Sequence, residues 1–319
     1  MKIHLPHSAF LGNIEPFIRG FDNSNLDQLQ ITTNQKWVAV HPVVLVMVAA
    51  LAQTVEGKNT SCEALPGYAG TYLERMGLFK HLGIDSGISI VEREPAGRFI
   101  PITKITTSDE LTGLLTEMVP LLHLEPQQAS SIRYIVSELV RNVLEHAKSQ
   151  HGAFVAAQYH KKTNKIRIGI ADTGIGIKAA IGQSHPTGND LEALQLALTP
   201  GITGTTRKEG GTEQNAGAGL FFIKSIATAN HDYFVIYSGN ALYKLLKRRS
   251  SKVILHANPF EDHHSKKSDL PYWRGTVVGI DLTLDATEEF TNLLDLIRDT
   301  YSKAVRDRKK ARRKKPKFI

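Results

Sequence analysis

The stretch "SELVRNVLEHAKS", residues 137–149, decides how the chain is read. Four-residue spacing sets Glu138, Asn142 and His146 in one row along a helix, although an amphipathic helix ordinarily keeps such residues off its packed face. Such a row needs a reason; the acid and the amide supply it, and His146 is given no catalytic role.

Working outward, the long helix begins near Ser130 or Ser131, behind a helix in "SDELTGLLTEMVPLL" (108–122). Downstream, "AFVAAQYHKKTNKIRIGIAD" (153–172) holds two β-rich runs around a polar "KKTNK" turn and reads as a hairpin. Its second strand ends in "DTGIGI". A helix in "DLEALQLAL" then precedes "GITGTTRKEGGTEQNAGAGL" (201–220), which runs straight into a helix in "FFIKSIATA". "DYFVIYS", "ALYKLL" and "GTVVGIDLTL" supply later strands, and "EDHHSK" (261–266), without metal-ligand spacing, reads as a solvated loop. Asp285 and Glu288 have capping-box spacing before a helix whose Phe290, Leu293, Leu294, Ile297 and Tyr301 repeat at helical intervals.

Three pieces need one explanation: E-L-x-x-N-x-x-x-H at 138–146, D-x-G-x-G at 172–176 and G-x-G-L at 217–220. Taken singly, each is an ordinary helix edge, tight turn or loop. Their order and contexts decide otherwise. Magnesium wants oxygen ligands and keeps most of its coordination for water and phosphate, so the amide of Asn142 suffices as its anchor. One turn earlier, Glu138 is placed to orient or deprotonate a nucleophile attacking a terminal phosphate. Asp172 ends an apolar strand, and the alternate glycines Gly174 and Gly176 let backbone approach a flat ligand. A carboxylate there accepts from the exocyclic amine of adenine, whereas guanine presents a carbonyl. Gly217 and Gly219 precede a helix whose free N–H groups and dipole suit phosphate. Residues 201–216 lack apolar periodicity and read as a lid, from which Arg207 and Lys208 reach the terminal phosphate.

These residues resemble the GHKL ATPase superfamily, the ATP-binding fold of gyrase B, Hsp90, MutL and sensor histidine kinases. Glu138, Asn142 and His146 match its N-box, Asp172, Gly174 and Gly176 its G1 box, and Gly217, Gly219 and Leu220 its G2 box. Gly275-Thr276 resembles a further Gly-Thr element, which implies that Thr276 joins the network around Asp172. The resemblance covers about 107–285 and implies an α/β fold, a two-layer sandwich with helices over one face of a mixed sheet. "SELVRNVLEHA" most resembles the anti-sigma-factor serine kinases. The implied function is an ATP-binding regulatory switch or serine/threonine protein kinase, with ATP and Mg²⁺ as cofactors and a sigma factor or antagonist-like protein as partner. A GHKL clamp acting on nucleic acid and an ATP-binding module without turnover are the alternatives.

Residues 1–100 read as a smaller α/β domain. It has a strand at "QKWVAV", a helix opened by Pro42 and another in "YAGTYLERMGLFKHLG" ending at Gly83. This order faintly resembles STAS domains, the antagonists that partner such kinases. His41-Pro42 stands where the phospho-accepting serine is expected, which implies a partner-docking or dimerising scaffold, with a homodimer among its outcomes.

At 319 residues, with 41% hydrophobic and 22% charged, the chain has the profile of a soluble globular protein. The lone Cys62 excludes an internal disulfide and suits a reducing cytoplasm. The apolar run "WVAVHPVVLVMVAALA" (37–52) falls short of the roughly 20 residues of a membrane span, and the N-terminus lacks the regions of a signal peptide. The net charge of +8 is misleading, because 301–319 carries ten Lys or Arg against one Asp, so residues 1–300 sum to about −1. The expected ending is a docking helix at 286–303 and a basic disordered tail at 304–319, attracted to nucleic acid or an anionic membrane.

Overall fold

The computed structural model describes residues 1–36, 38–55, 59–63, 65, 67–89, 99–122, 126–206, 218–248, 253–284 and 290–313. The first part of the chain runs β1 (Lys2–Leu5), β2 (Ser8–Ala9), α1 (Glu15–Arg19), β3 (Leu29–Thr33), β4 (Ala39–Val40), α2 (Pro42–Ala52), β5 (Thr60–Cys62), α3 (Gly67–Arg75) and α4 (Leu78–Leu82). Then come β6 (Phe99–Ile105), α5 (Ser108–Leu122), α6 (Pro126–Asn142), β7 (Ala153–His160), β8 (Lys165–Ala171), α7 (Gly176–Gly182) and α8 (Asp190–Ala197). The last part holds α9 (Gly219–Ala229), β9 (Phe234–Gly239), β10 (Ala241–Leu245), β11 (His264–Lys267), β12 (Trp273–Thr283) and α10 (Phe290–Arg313).

The hairpin around "KKTNK" forms as β7–β8, with His160 opposite Lys165 and Asn164 in the left-handed conformation that its short amide tolerates. It sits inside a seven-stranded sheet of order β11-β10-β9-β12-β8-β7-β6. Every described pairing in that sheet is antiparallel, where a mixed sheet was expected. The helix that carries Glu138 starts at Pro126, a few residues before the serines, because proline suits a first helical turn. The helix expected across "YAGTYLERMGLFKHLG" is two, α3 and α4, divided where Gly77 turns left-handed at φ +74°. "EDHHSK" is no loop throughout: His264 opens edge strand β11, and Asp262 is buried against Lys224 of α9.

One face of the sheet carries α5, α6, α9 and α10 over a continuous apolar cluster. The opposite face is covered as well. Helix α2 is apolar all round, which suits only a helix buried on every side, and Pro42 through Ala50 are all buried. It lies on β7 and β8 at a shallow pit made by two glycines paired in register, Gly169 of β8 and Gly279 of β12. A Cβ on Gly169 would stand 2.3 Å from the Val43 backbone nitrogen, so the helix can seat only over glycine. Behind α2 lies a parallel three-stranded sheet, β1-β3-β5, and its residues share one apolar cluster with Phe154, Val235, Tyr237 and Trp273 of the large sheet. Residues 1–89 and the large sheet therefore have one core between them.

Polar contacts fix this junction. Lys244 of β10, buried, reaches Glu15 Oε1 at 2.6 Å and the Gly12 carbonyl at 3.1 Å. His41 caps α2: its Nδ1 accepts from the Val43 N–H, so its proton resides on Nε2, which faces Asp281 Oδ1 at 3.3 Å. Burial holds the imidazole pKa below its usual value and the ring neutral, an arrangement that explains His41-Pro42 as a helix start.

Helix α10 docks as its periodicity requires, with Ile297 fully buried and the Tyr301 ring beside Phe221 and Phe222 of α9 at 6.5 and 6.2 Å. It does not stop at 303, however. The helix continues through 304–313, where a disordered tail was expected, because Val305 still packs inward and Arg308 bonds to the Pro200 carbonyl. Asp285 and Glu288 of the expected capping box lie outside the described residues. No helix among the described residues is long and apolar enough to cross a membrane.

Candidate functional site

A cavity of about 500 Å³ opens between α6, α7, α9 and the ends of β8 and β12. Glu138, Asn142, Asp172, Gly176, Gly219, Leu220 and Thr276 all line it, so the three motifs and the Gly-Thr pair converge on one space. Gly174 is not among the lining residues but bonds one of them, Asp172, while Arg207, Lys208 and Gly217 lie outside the described residues.

Asp172 follows the last residue of β8, and its N–H still bonds the Thr276 carbonyl at 2.9 Å, continuing the ladder to β12. Its side chain is 1% exposed. Oδ1 accepts from the Gly174 N–H at 2.7 Å and Oδ2 from the Thr276 N–H at 3.2 Å. Burial pushes the carboxyl up to about 7, and these two donors act against that rise. The result is an acceptor held rigidly at the cavity wall. Thr276 does join this network, through its backbone. Gly275 must precede it, because at φ +106° any Cβ would lie 2.2 Å from the Asp172 carbonyl oxygen.

The N-box helix changes pitch directly after Asn142. Residues Val143–Ala147 form a π turn, a widening that often marks functional sites, and Lys148 closes it in the left-handed conformation at φ 48°. The turn aims the Ala147 carbonyl at the G1 loop, where it accepts from the Ile175 N–H at 2.8 Å. A Cβ on Gly174 would come within 2.0 Å of that oxygen. This backbone clasp sets Asn142 relative to Asp172. His146 lines the cavity on the widened turn, with Nε2 3.8 Å from Glu145 Oε2.

Glu138 is half-buried and lies at the first turn of α9, where a Cβ on Gly219 would be 2.7 Å from Oε2. Burial raises its pKa, Arg141 opposes the rise and Glu145 reinforces it. A carboxyl poised above its ordinary range is suited to take a proton. Ile177, Ile181, Ile202, Leu220 and Val278 give the cavity apolar walls that a flat base can pack against. After α8 the chain is well held: Ser184 Oγ donates to the Gly204 carbonyl at 2.7 Å, and Thr203, Gly204 and Thr205 face the cavity.

Sequence reasoning missed several contributors. Ser238 Oγ donates to the Gly275 carbonyl at 2.6 Å and accepts from the Ile177 N–H at 2.9 Å, tying α7 to the start of β12. The Trp273 indole N–H donates to the Asp172 carbonyl at 3.1 Å. Both come from late strands far along the chain, and no local spacing announces them. Tyr134, one turn before Glu138 on the same row, also lines the cavity, and the four-residue spacing that led to Glu138 could have found it.

No group of three His, Cys, Asp or Glu among the described residues is placed to hold a metal alone. The Asn142 amide at the cavity wall, a single neutral oxygen donor, fits a cation held mainly by phosphate and water.

Residues 107–233 match the family model of the histidine kinase-like ATPase domain. The match spans the N-box, G1 and G2 motifs and supports the GHKL resemblance, an ATP-binding regulatory role included. No curated protein matches the chain.

Proposed function

We propose that this protein is a nucleotide-dependent switch that binds ATP with magnesium in the cavity and passes on the terminal phosphate, as a serine/threonine kinase of anti-sigma-factor type. The observation that carries the reading is Asp172, a buried carboxylate on the cavity wall whose two oxygens are fixed by backbone N–H groups. Such an acceptor selects a base bearing an exocyclic amine, since a carbonyl in its place would face the carboxylate without a proton between them. Asn142 would hold magnesium, which when bound offsets the charge on the phosphates. The free N–H groups at the start of α9 receive phosphate oxygens, and Glu138 orients and deprotonates the attacking hydroxyl. Arg207 and Lys208, on the lid, are assigned to the terminal phosphate by their sequence position. The N-terminal unit, STAS-like in its element order, serves as the docking side for a regulatory protein. A cytoplasmic location is consistent with the single cysteine.

Calorimetry tests this directly. ATP and ADP with magnesium should bind to the wild type and GTP should not, and Asp172→Asn should abolish the heat. Ligand in roughly hundredfold excess over its dissociation constant should raise stability by about 2.7 kcal/mol in the wild type alone. Absence of binding by both ATP and ADP to folded protein overturns the reading. A second reading, a clamp acting on nucleic acid, is favoured by the charge on α10.

A further inference from the structure

Helix α10 has two unlike halves. From Phe290 to Ser302 it carries two acids, Asp295 and Asp299, and one base, Arg298, which bonds Asp295 at 2.9 Å. From Lys303 to Arg313 seven cations face the single acid Asp307. Lys303, Arg306, Lys309 and Lys310 are all exposed. At about 100° per residue they fall within one arc of roughly 120°, opposite the face formed by Ile297, Tyr301 and Val305. Within the stripe the pairs 303/306, 306/309 and 306/310 are like-charged, with the exposed Asp307 at its edge beside Lys303 and Lys310, and each like pair costs about 0.2–0.5 kcal/mol when no anion lies between. The body of the protein is near neutral, so the stripe is a local feature.

We propose that this stripe binds the phosphate backbone of duplex nucleic acid, without reading bases. The four cations span about 10 Å along a rigid helix, at 1.5 Å per residue, enough to meet successive phosphates and release their counterions. No aromatic residue lies among them, so stacking on bases plays no part. A membrane surface is the poorer partner. An interfacial helix inserts its apolar face among lipids, and here that face is packed on α6 and α9, with Ile297 at 0% and Val305 at 7% exposed. The inference stands apart from the nucleotide reading: a chain that binds duplex but no ATP keeps the one and loses the other.

The test is anisotropy of the full chain with a labelled mixed-sequence duplex of about 20 base pairs across a salt series. Four contacts predict a slope of log affinity against log salt of about −3.6 or steeper. Replacing the four together (Lys303→Gln, Arg306→Gln, Lys309→Gln, Lys310→Gln) should weaken binding at least roughly tenfold at low salt and flatten the slope, with thermal stability kept. Wild-type affinity in that variant, or a salt-insensitive wild type, overturns the proposal. So does equal binding to polyglutamate, or binding to phosphatidylserine vesicles with none to the duplex.

Discussion

The two faces of the seven-stranded sheet are made from the same strands and do opposite things. On the back, α2 seats on Gly169 with no room for a Cβ, and every residue from Pro42 to Ala50 is buried. On the front, the helices stand off the ends of β8 and β12 and leave about 500 Å³ lined by apolar walls and a few polar groups, Glu138, Asn142 and Asp172 among them. A sheet filled to contact on one side can hold an open, strained and partly charged site on the other, because the close packing behind it fixes the strand ends.

That contrast predicts which changes alter chemistry and which alter folding. The largest effect belongs to the open face: Glu138→Gln should lower phosphate release or transfer by about 10²–10⁴ while leaving nucleotide affinity and melting temperature nearly unchanged. A large fall in stability would show that the carboxylate is part of the packing. On the closed face, Gly169→Val should cost about 3 kcal/mol in urea unfolding, since the Val43 backbone cannot yield to a side chain. Nucleotide affinity measured on the folded fraction should persist. If it vanished with the stability intact, the two faces would be coupled more tightly than the packing implies.

Smaller effects sharpen the boundary between the faces. Ser238→Ala removes the partner of the buried Gly275 carbonyl and the Ile177 N–H and should cost about 1–2 kcal/mol. It should also weaken nucleotide binding, because Ile177 and Thr276, the neighbour of Gly275, line the cavity. The subtlest signal is a proton. With Asp172 raised to about 7 by burial, the folded protein holds a proton there that the unfolded chain releases at a lower pH. This group's contribution to unliganded stability therefore falls as pH rises from the ordinary carboxylate range to about 7. A bound adenine amine favours the carboxylate, so binding near pH 6 should release part of a proton, seen as buffer-dependent heats that merge near pH 9. Identical heats in all buffers at the lower pH would mean that Asp172 is already ionised there.

How much of this was legible in the sequence follows from the range of each signal. Glu138, Asn142, Asp172, Gly219 and the β7–β8 hairpin rest on spacings within one helix turn, one strand end or one tight turn. The break at Gly77 was missed because a single left-handed glycine leaves the apolar pattern on both sides intact. The expected end of α10 failed for a related reason: charge composition suggested disorder, while Val305 and the Arg308 contact with Pro200 keep the helix against the body.

What the amino-acid order determined alone is the set of chemical groups and the local geometry that aims them: an amide and an acid on one helix face, a carboxylate closing a strand, glycines where backbone must come near. Tertiary structure decided what those groups lean on. A helix apolar on every side carries no information about which surface will cover it, so only the folded chain could show α2 lying on the glycine pit, Ser238 tying α7 to Gly275, or Trp273 bonding the Asp172 carbonyl from a late strand. Periodicity is a property of neighbours along the chain, and packing is a property of neighbours in space.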